Sequence, residues 1–180
     1  MADTSAILDV LRTIPDPEMP ISIVDLGLIE SIHIEDGAVR VDVLPTFIGC
    51  PALPMIADDI TKKLSALPGV QSIEVEFIHD PPWTVDRITE QGRASLKQHG
   101  VTVPPPGGPG TGAARLDIAG HHPGSPGYIQ LSTSAAPAPI PCPFCDSTDT
   151  RLDSSFGPTR CRMIYYCNAC RNSFEHLKKV

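Results

Sequence analysis

Two pairs of cysteines near the end of the chain constrain its fold more than any other feature. Cys142 and Cys145 form one C-x-x-C pair, and Cys167 and Cys170 form a second pair after 21 intervening residues. Each pair presents two thiolates from one tight turn, and two such pairs complete a closed tetrahedral site for Zn²⁺. The spacing therefore predicts a four-cysteine zinc ribbon over residues 141–180.

The segment around these cysteines is too short to fold on a hydrophobic core alone. Domains of about 40 residues usually need a metal or disulfides, so we expect the metal to be the core of the ribbon. Short strands are predicted at 150–156, 163–166 and 173–177, which makes this unit all-β. Disulfides are the alternative, and the absence of a secretory signal layout disfavours them. The same thiolates also suit iron, so a redox role stays open.

Cys161 is a further thiol in this segment and lies outside both pairs. Because the paired cysteines already satisfy four-coordination, we favour an extra thiol that packs against the ribbon. Two alternatives stay open: Cys161 replaces one of the four ligands, or its presence is a sign that the site holds iron.

Proline and glycine concentrate in one stretch, since residues 101–140 contain eight Pro and seven Gly. This composition cannot continue a helix or a central strand, so residues 104–140 are predicted to be a flexible linker. It separates a first domain, residues 1–103, from the ribbon. The charge divides as well: the chain carries -7 overall, and the residues after 140 have six basic against four acidic side chains. The acidic balance argues against nucleic acid as a partner.

The first 103 residues alternate between helical and strand periodicity. Apolar spacing predicts helices around 7–14, 53–67 and 85–96, and strict alternation predicts strands around 32–34, 39–43 and 73–77. The order α-β-β-α-β-α predicts a small two-layer α+β domain, with a sheet covered by helices on one face. Thr4 or Ser5 is the expected cap of the first helix, and Thr84 that of the last.

Cys50 is the single cysteine of the first domain and precedes Pro51 where a strand gives way to a helix. With Pro51 or Pro54 at the first helical position, the thiol would lie at the positive end of the helix dipole, which favours the thiolate. A thiolate there could hold a soft metal or act as a nucleophile. The alternative is a buried cysteine that packs as a small hydrophobic residue.

Three motifs of the first domain carry a resemblance to a known family. They are Asp-Pro-Glu at 16–18, Val-Asp-Leu-Gly-Leu at 24–28 and the Thr-to-Cys-Pro stretch at 46–51. With these motifs, residues 7–105 resemble the SufT-like family of iron-sulfur cluster assembly proteins. The resemblance implies that several side chains gather near one surface and that the thiol among them carries iron or a cluster transiently. These side chains are Asp16, Glu18, Asp25, Thr46 and Cys50.

The ribbon extends the resemblance to both ends of the chain. Together with the cysteine pairs, the stretch Phe-Gly-Pro-Thr-Arg-Cys at 156–161 resembles the D components of the bacterial phenylacetyl-CoA epoxidase system. The long Pro/Gly segment and Pro158 depart from that family's pattern. The family belongs to phenylacetate degradation, in which a multicomponent di-iron oxygenase epoxidises the ring of phenylacetyl-CoA. The resemblance implies an accessory or maturation subunit, not itself catalytic, that assists iron or cluster assembly in the oxygenase or its reductase.

Two other functions are compatible with the sequence. The chain could be a structural or regulatory subunit of the oxygenase, or it could transfer electrons through a thiolate-iron site. The oxygenase and reductase components are the expected partners, and the oligomeric state, a homodimer included, stays open. No stretch approaches the roughly 18 apolar residues of a membrane helix, so we expect no membrane partner and a cytoplasmic location.

Overall fold

The computed structural model describes residues 3–107 and 139–179. The first range contains α1 Thr4–Leu11, β1 Ile29–Glu35, β2 Ala38–Val43, α2 Leu53–Leu64, β3 Ser72–Phe77, a 3-10 helix Val85–Arg87, α3 Glu90–Gln98 and β4 Val101–Thr102. The second range contains β5 Thr150–Ser154, β6 Arg162–Cys167 and β7 Ser173–Leu177. The predicted order α-β-β-α-β-α and the all-β tail are both present, which confirms the α+β fold class.

The first sheet has the order β1-β2-β3. β1 and β2 form an antiparallel hairpin, and Asp36 and Gly37 turn the chain with φ values of 47° and 84°. Two successive residues with positive φ are typical of the tight hairpin turns that Asp-Gly favours. β3 then pairs with β2 in parallel, after α2 has crossed between the two strands.

The core of the first domain lies between this sheet and its helices. The valines of β2 (Val39, Val41 and Val43) are almost fully buried, as are the inward residues of α2 (Ile56, Ile60 and Leu64) and of α1 (Ile7 and Leu11). Complete burial of each such side chain contributes about 1.5–3 kcal/mol. The positions that the hydrophobic spacing selects are therefore the positions that hold the sheet and the helices together.

Two helix caps differ from the predictions. Asp3 caps α1, because its Oδ1 accepts a hydrogen bond from the N–H of Ala6 at 2.7 Å. Thr84 precedes only the 3-10 helix, and Ile88 then adopts extended backbone with ψ 124°. α3 starts afresh with Thr89 as its cap, whose Oγ1 accepts from the N–H of Gly92 at 3.0 Å.

A second sheet joins the end of the first domain to the ribbon. Its order is β4-β7-β6-β5, and β4 pairs in parallel with β7 through Val101–Glu175 and Thr102–His176. Cys161 and Leu177 of the ribbon belong to the same buried cluster as α1 and α2. The ribbon is thus packed into the first domain, a relationship that no local pattern in the sequence predicts.

Most of the predicted linker lies outside the described residues, at 108–138. The proposed division into 1–103, 104–140 and 141–180 therefore stays a prediction. Within the described ranges, none of the helices combines the length and the apolar character that a membrane span needs.

Candidate functional site

The four paired cysteines converge on one point of the ribbon. The sulfurs of Cys142, Cys145, Cys167 and Cys170 all lie within 4.8 Å of one another. The Sγ atoms are 3.6 Å apart in the pair Cys142–Cys170 and in the pair Cys145–Cys167. A tetrahedral zinc ion with Zn–S bonds of about 2.3 Å would set its sulfurs about 3.8 Å apart. The donor set therefore fits one four-coordinate, thiophilic metal ion.

Two turns of the same design position these sulfurs. In the first, Asp146 has φ 56° and donates its N–H to the carbonyl of Cys142 at 2.9 Å. In the second, Arg171 has φ 62° and donates its N–H to the carbonyl of Cys167, also at 2.9 Å. Each C-x-x-C pair is thus closed by a left-handed residue four positions after its first cysteine. Such locally closed turns explain why the spacing alone identifies this group.

The four thiols differ in how readily they lose their protons. The pKa of Cys170 is lowered to about 7, because the N–H of Asn172 hydrogen-bonds to its sulfur and the neighbouring thiols stabilise its charge. Burial raises the pKa of Cys142. Because metal coordination needs thiolates, metal binding to this group would release protons.

A second site lies where the first domain meets the ribbon. A cleft of about 220 Å³ is lined from the first domain by Glu18, Thr46 and Cys50, and from the ribbon by Thr159, Arg160 and Cys161. α2 begins at Leu53, so the half-buried Cys50 lies in the preceding turn, where its N–H donates to the carbonyl of Phe47 at 3.2 Å. Arg160 lies over the ring of Phe47, 5.8 Å from its centroid, and so bridges the cleft.

The acidity of Cys50 is opposite to the expectation from the helix dipole. Burial raises the pKa of the Cys50 thiol, and a hydrogen bond from the backbone of Ala52 only partly opposes this. The negative charges of the Glu18 and Asp16 carboxylates raise that pKa further. The surroundings of Cys50 therefore oppose the thiolate that the helix end was predicted to favour.

The other residues of the predicted set divide into two groups. The charge of the Asp16 carboxylate acts on Cys50 and raises the pKa of its thiol. The Oδ1 of Asp16 accepts hydrogen bonds from the N–H groups of Glu18 and Met19, both at 2.8 Å. Burial raises the pKa of Asp16.

Asp25 does not line the cleft. Its Oδ2 accepts from Ser22 Oγ at 2.8 Å and its Oδ1 from Thr89 Oγ1 at 2.9 Å, so Asp25 ties the 22–25 turn to the start of α3. The structure therefore brings Glu18, Thr46 and Cys50 together, with Asp16 nearby, and gives Asp25 a place in the scaffold.

Sequence reasoning missed the contribution of the ribbon to this cleft. Cys161 stands apart from the four-cysteine group and is buried, with its Sγ 3.1 Å from Thr159 Oγ1. Arg162, only 7% exposed, donates to Thr159 Oγ1 at 2.8 Å and to Glu175 Oε2 at 2.5 Å. The 156–161 stretch is recognisable as a motif in the sequence, but its place opposite Cys50 depends on contacts between distant segments.

Comparison with known proteins identifies both parts of the chain. A family model described as "Iron-sulfur cluster assembly protein" matches residues 4–77. A second, described as "PaaD zinc beta ribbon domain", matches residues 129–178.

Individual relatives are similar either to nearly the whole chain or to about half of it. The D component of the "Putative 1,2-phenylacetyl-CoA epoxidase" of Escherichia coli K12 is 31% identical over 171 residues, which cover 94% of this chain and 89% of the relative. "Fe-S protein maturation auxiliary factor SufT" of Staphylococcus aureus is 38% identical over 82 residues, which cover 45% of this chain and 93% of the relative. A crystal structure of a domain of unknown function from Bacillus anthracis is 32% identical, with a TM-score of 0.49, and covers 51% of this chain and 89% of that one.

Proposed function

Because this chain belongs to the family of the Escherichia coli epoxidase D component, we propose that it is a non-catalytic accessory subunit of a phenylacetyl-CoA epoxidase system. Its task is to hold iron or an iron-sulfur unit transiently and to deliver it to the oxygenase or to its reductase. We assign the carrier role to the first domain, because the iron-sulfur cluster assembly model matches residues 4–77 and relatives are named as Fe-S protein maturation auxiliary factors. The ribbon is a structural element that completes the surface around the carrying thiol.

The observation that carries this proposal is the environment of Cys50. Its thiol is half-buried in a cleft that also contains the carboxylate of Glu18. Burial and the nearby negative charges keep the pKa of Cys50 high, so a proton competes with the metal for the sulfur. A thiol that binds a metal only by losing a tightly held proton releases that metal more easily. This suits a carrier better than a permanent site.

The four-cysteine group, unlike Cys50, is suited to hold a metal ion permanently. Cys142 and Cys167 are fully buried, and the four sulfurs already match a closed tetrahedral arrangement. Closed four-thiolate sites are typical of structural zinc, which offers no open position for chemistry. We therefore assign the resident metal of the ribbon as zinc and its role as a cross-link.

A second candidate function is that of a structural or regulatory subunit of the oxygenase. It is favoured by the exposure of Ile48 and Phe156, whose side chains are 74% and 81% exposed. Exposed apolar side chains mark a protein-contact surface where they form one contiguous patch. If this function is correct, Cys50 has no role in iron handling.

Iron and sulfide analysis separates these two functions. The protein is purified anaerobically after co-expression with the oxygenase and reductase, in wild-type form and as Cys50→Ala. The matched control is Met55→Ala, because Met55 is 56% exposed on α2. We expect about one zinc per chain in all three proteins, with iron bound to this chain and client cluster content reduced only in Cys50→Ala. Full reductase cluster content and full ring oxidation with Cys50→Ala would refute the carrier function and leave the structural one.

A further inference from the structure

Cys50 and Cys161 are 111 positions apart in the sequence and line the same cleft. The geometry points to a composite site in which these two thiols, one from each domain, bind the thiophilic cargo together. This inference rests on the proposed carrier function and adds a residue of the ribbon to the carrying site. It makes the ribbon a direct participant in cargo binding, in addition to its role as a scaffold.

The first support is packing. Cys161 is 6% exposed and belongs to the buried cluster that α1, α2 and β2 form, and Cys50 packs against the same cluster. Both residues therefore belong to one continuous piece of protein interior, and their mutual arrangement is held by that interior. Arg162, next to Cys161, anchors this part of the ribbon through Thr159 and Glu175.

The second support is that the four-cysteine group of the ribbon does not include Cys161. The four-cysteine group is complete without it, since the other four sulfurs lie within 4.8 Å of one another. The Cys161 thiol instead lines the cleft at the boundary with the first domain, where it hydrogen-bonds with the hydroxyl of Thr159. A fifth thiol in a segment that needs only four is explained if it serves a different site.

The third support is the charge around Cys50. The carboxylates of Glu18 and Asp16 act on the Cys50 sulfur as negative neighbours. Arg162 acts on Asp16 as the compensating cation. These carboxylates would attract a thiophilic cation to the two sulfurs, and the cation would neutralise the two thiolates that its binding creates. Thiolates favour iron-sulfur units, Zn²⁺ and Cu⁺.

Binding needs no change of oxidation state in the protein. Each thiol gives up its proton to solvent as its sulfur bonds to the metal, so two protons are released for each cation bound by the pair. Phenylarsine oxide reports on the same pair by analogous chemistry: two As–S bonds form, and the arsenic-bound oxygen leaves as water with both thiol protons.

The test uses the full-length, zinc-loaded protein under anaerobic conditions, as wild type, Cys50→Ala and Cys161→Ala. Phenylarsine oxide is added first, and unprotected thiols are then mapped with N-ethylmaleimide and mass spectrometry while zinc release is monitored. We expect one reagent per wild-type chain, joint protection of Cys50 and Cys161, and retained zinc. Either alanine variant should lose this protection.

The second arm is reconstitution with Fe²⁺ and sulfide, read as iron per chain and visible absorption. We expect each alanine variant to lose most of the iron that the wild type takes up. Wild-type iron uptake by Cys161→Ala, together with loss in Cys50→Ala, would overturn the composite site and leave the carrier function standing. Wild-type uptake by both variants would overturn both proposals.

A folding defect in Cys161→Ala would not leave the inference untested. Zinc content and the thermal midpoint identify such a defect directly. In that case the wild-type protection pattern decides: independent reaction of Cys50 and Cys161 with N-ethylmaleimide in the presence of phenylarsine oxide would refute the shared site.

Discussion

The backbone N–H of Glu175 donates to the carbonyl oxygen of Gly100 at 2.9 Å. This bond joins β7 of the ribbon to Gly100, two residues after the end of α3, and the parallel pairing of β4 with β7 continues it. The ribbon sheet therefore takes its edge strand from the first domain. Any change that unfolds the ribbon should therefore also destabilise the end of α3 and the ribbon side of the Cys50 cleft.

Removal of the ribbon metal should release β4 as well as β5–β7. Metal binding to such small units supplies much of their folding free energy. We expect chelation, or the Cys167→Ser variant, to lower hydrogen-exchange protection at 173–177 and 101–102 by about 100-fold or more, which corresponds to roughly 2.7 kcal/mol of lost stability. Protection of β1–β3 serves as the internal control. Unchanged exchange at 101–102 after complete metal loss would show that β4 does not depend on the ribbon.

Loss of the Arg162 guanidinium should destabilise the contact between the ribbon and the first domain. Arg162→Met leaves the carboxylates of Glu175 and Asp16 without their cation. Breaking a buried ion pair costs about 3–5 kcal/mol, and we expect about 2–3 kcal/mol because Glu175 is 26% exposed. Urea unfolding of the zinc-loaded protein measures this. The matched control is Arg151→Met on β5, where an exposed arginine is expected to cost less than about 1 kcal/mol; equal losses would contradict the prediction.

His176 should make stability depend on pH. It is 3% exposed, its Nδ1 lies 2.8 Å from Thr102 Oγ1, and burial lowers its pKa from 6.5 to about 4. Between pH 6.5 and about pH 4, the unfolded chain carries a proton on His176 and the folded chain does not. The contribution of His176 to stability is therefore fully present well above pH 6.5 and is lost as the pH falls. By linkage, we expect a loss of about 1.4 kcal/mol between about pH 7.5 and about pH 5.5.

The control for this prediction is His176→Gln, which can still hydrogen-bond to Thr102 but does not titrate. The difference between the two proteins isolates His176 from the acid sensitivity of the metal site. Parallel pH profiles for the two proteins would rule out His176 as the source.

Gly27 should tolerate no side chain. Its φ is +75°, and an added Cβ would lie 2.6 Å from both the Cβ and the carbonyl oxygen of Arg87. That approach allows Arg87 Nε to donate to the Gly27 carbonyl at 2.9 Å. Gly49 is the matched control, with φ +83° and nothing within 4 Å. Left-handed backbone alone costs about 1–2 kcal/mol in a non-glycine residue, so thermal unfolding should show a clearly larger loss for Gly27→Ala than for Gly49→Ala.

Cys50 should react slowly with iodoacetamide at neutral pH. Its pKa is raised above the ordinary value of 9.0 by burial and by nearby negative charges, and only the thiolate reacts. We expect the midpoint of the pH–rate profile of the Cys50 peptide to lie above 9.0 and to move down in Glu18→Gln. Glu90→Gln, which removes a carboxylate at the start of α3, should leave the midpoint in place. A wild-type midpoint below about 8 would instead support a helix-dipole effect.

Local patterns in the sequence determined the secondary structure and the four-cysteine group. The spacing of Ile56, Ile60 and Leu64 defines α2 because helical periodicity is a property of neighbouring residues. Each C-x-x-C turn closes on its own backbone and so presents one pair of sulfurs, and a metal that needs four thiolates predicts that the two pairs converge. The resemblance of the 16–18 and 46–51 motifs also led to Glu18, Thr46 and Cys50 as neighbours.

Only the tertiary structure decided what surrounds those neighbours. The pairing of Val101 with Glu175 and the meeting of Cys50 with Cys161 join segments more than 70 residues apart, and no periodicity encodes such contacts. Asp25 does not line the cleft with the other predicted residues, because the hydroxyls of Ser22 and Thr89 donate hydrogen bonds to its two carboxylate oxygens. The pKa of Cys50 rose because burial and charges from other segments outweigh the helix end beside it. Burial and electrostatics depend on everything that packs around a group, and only the folded chain brings those groups together.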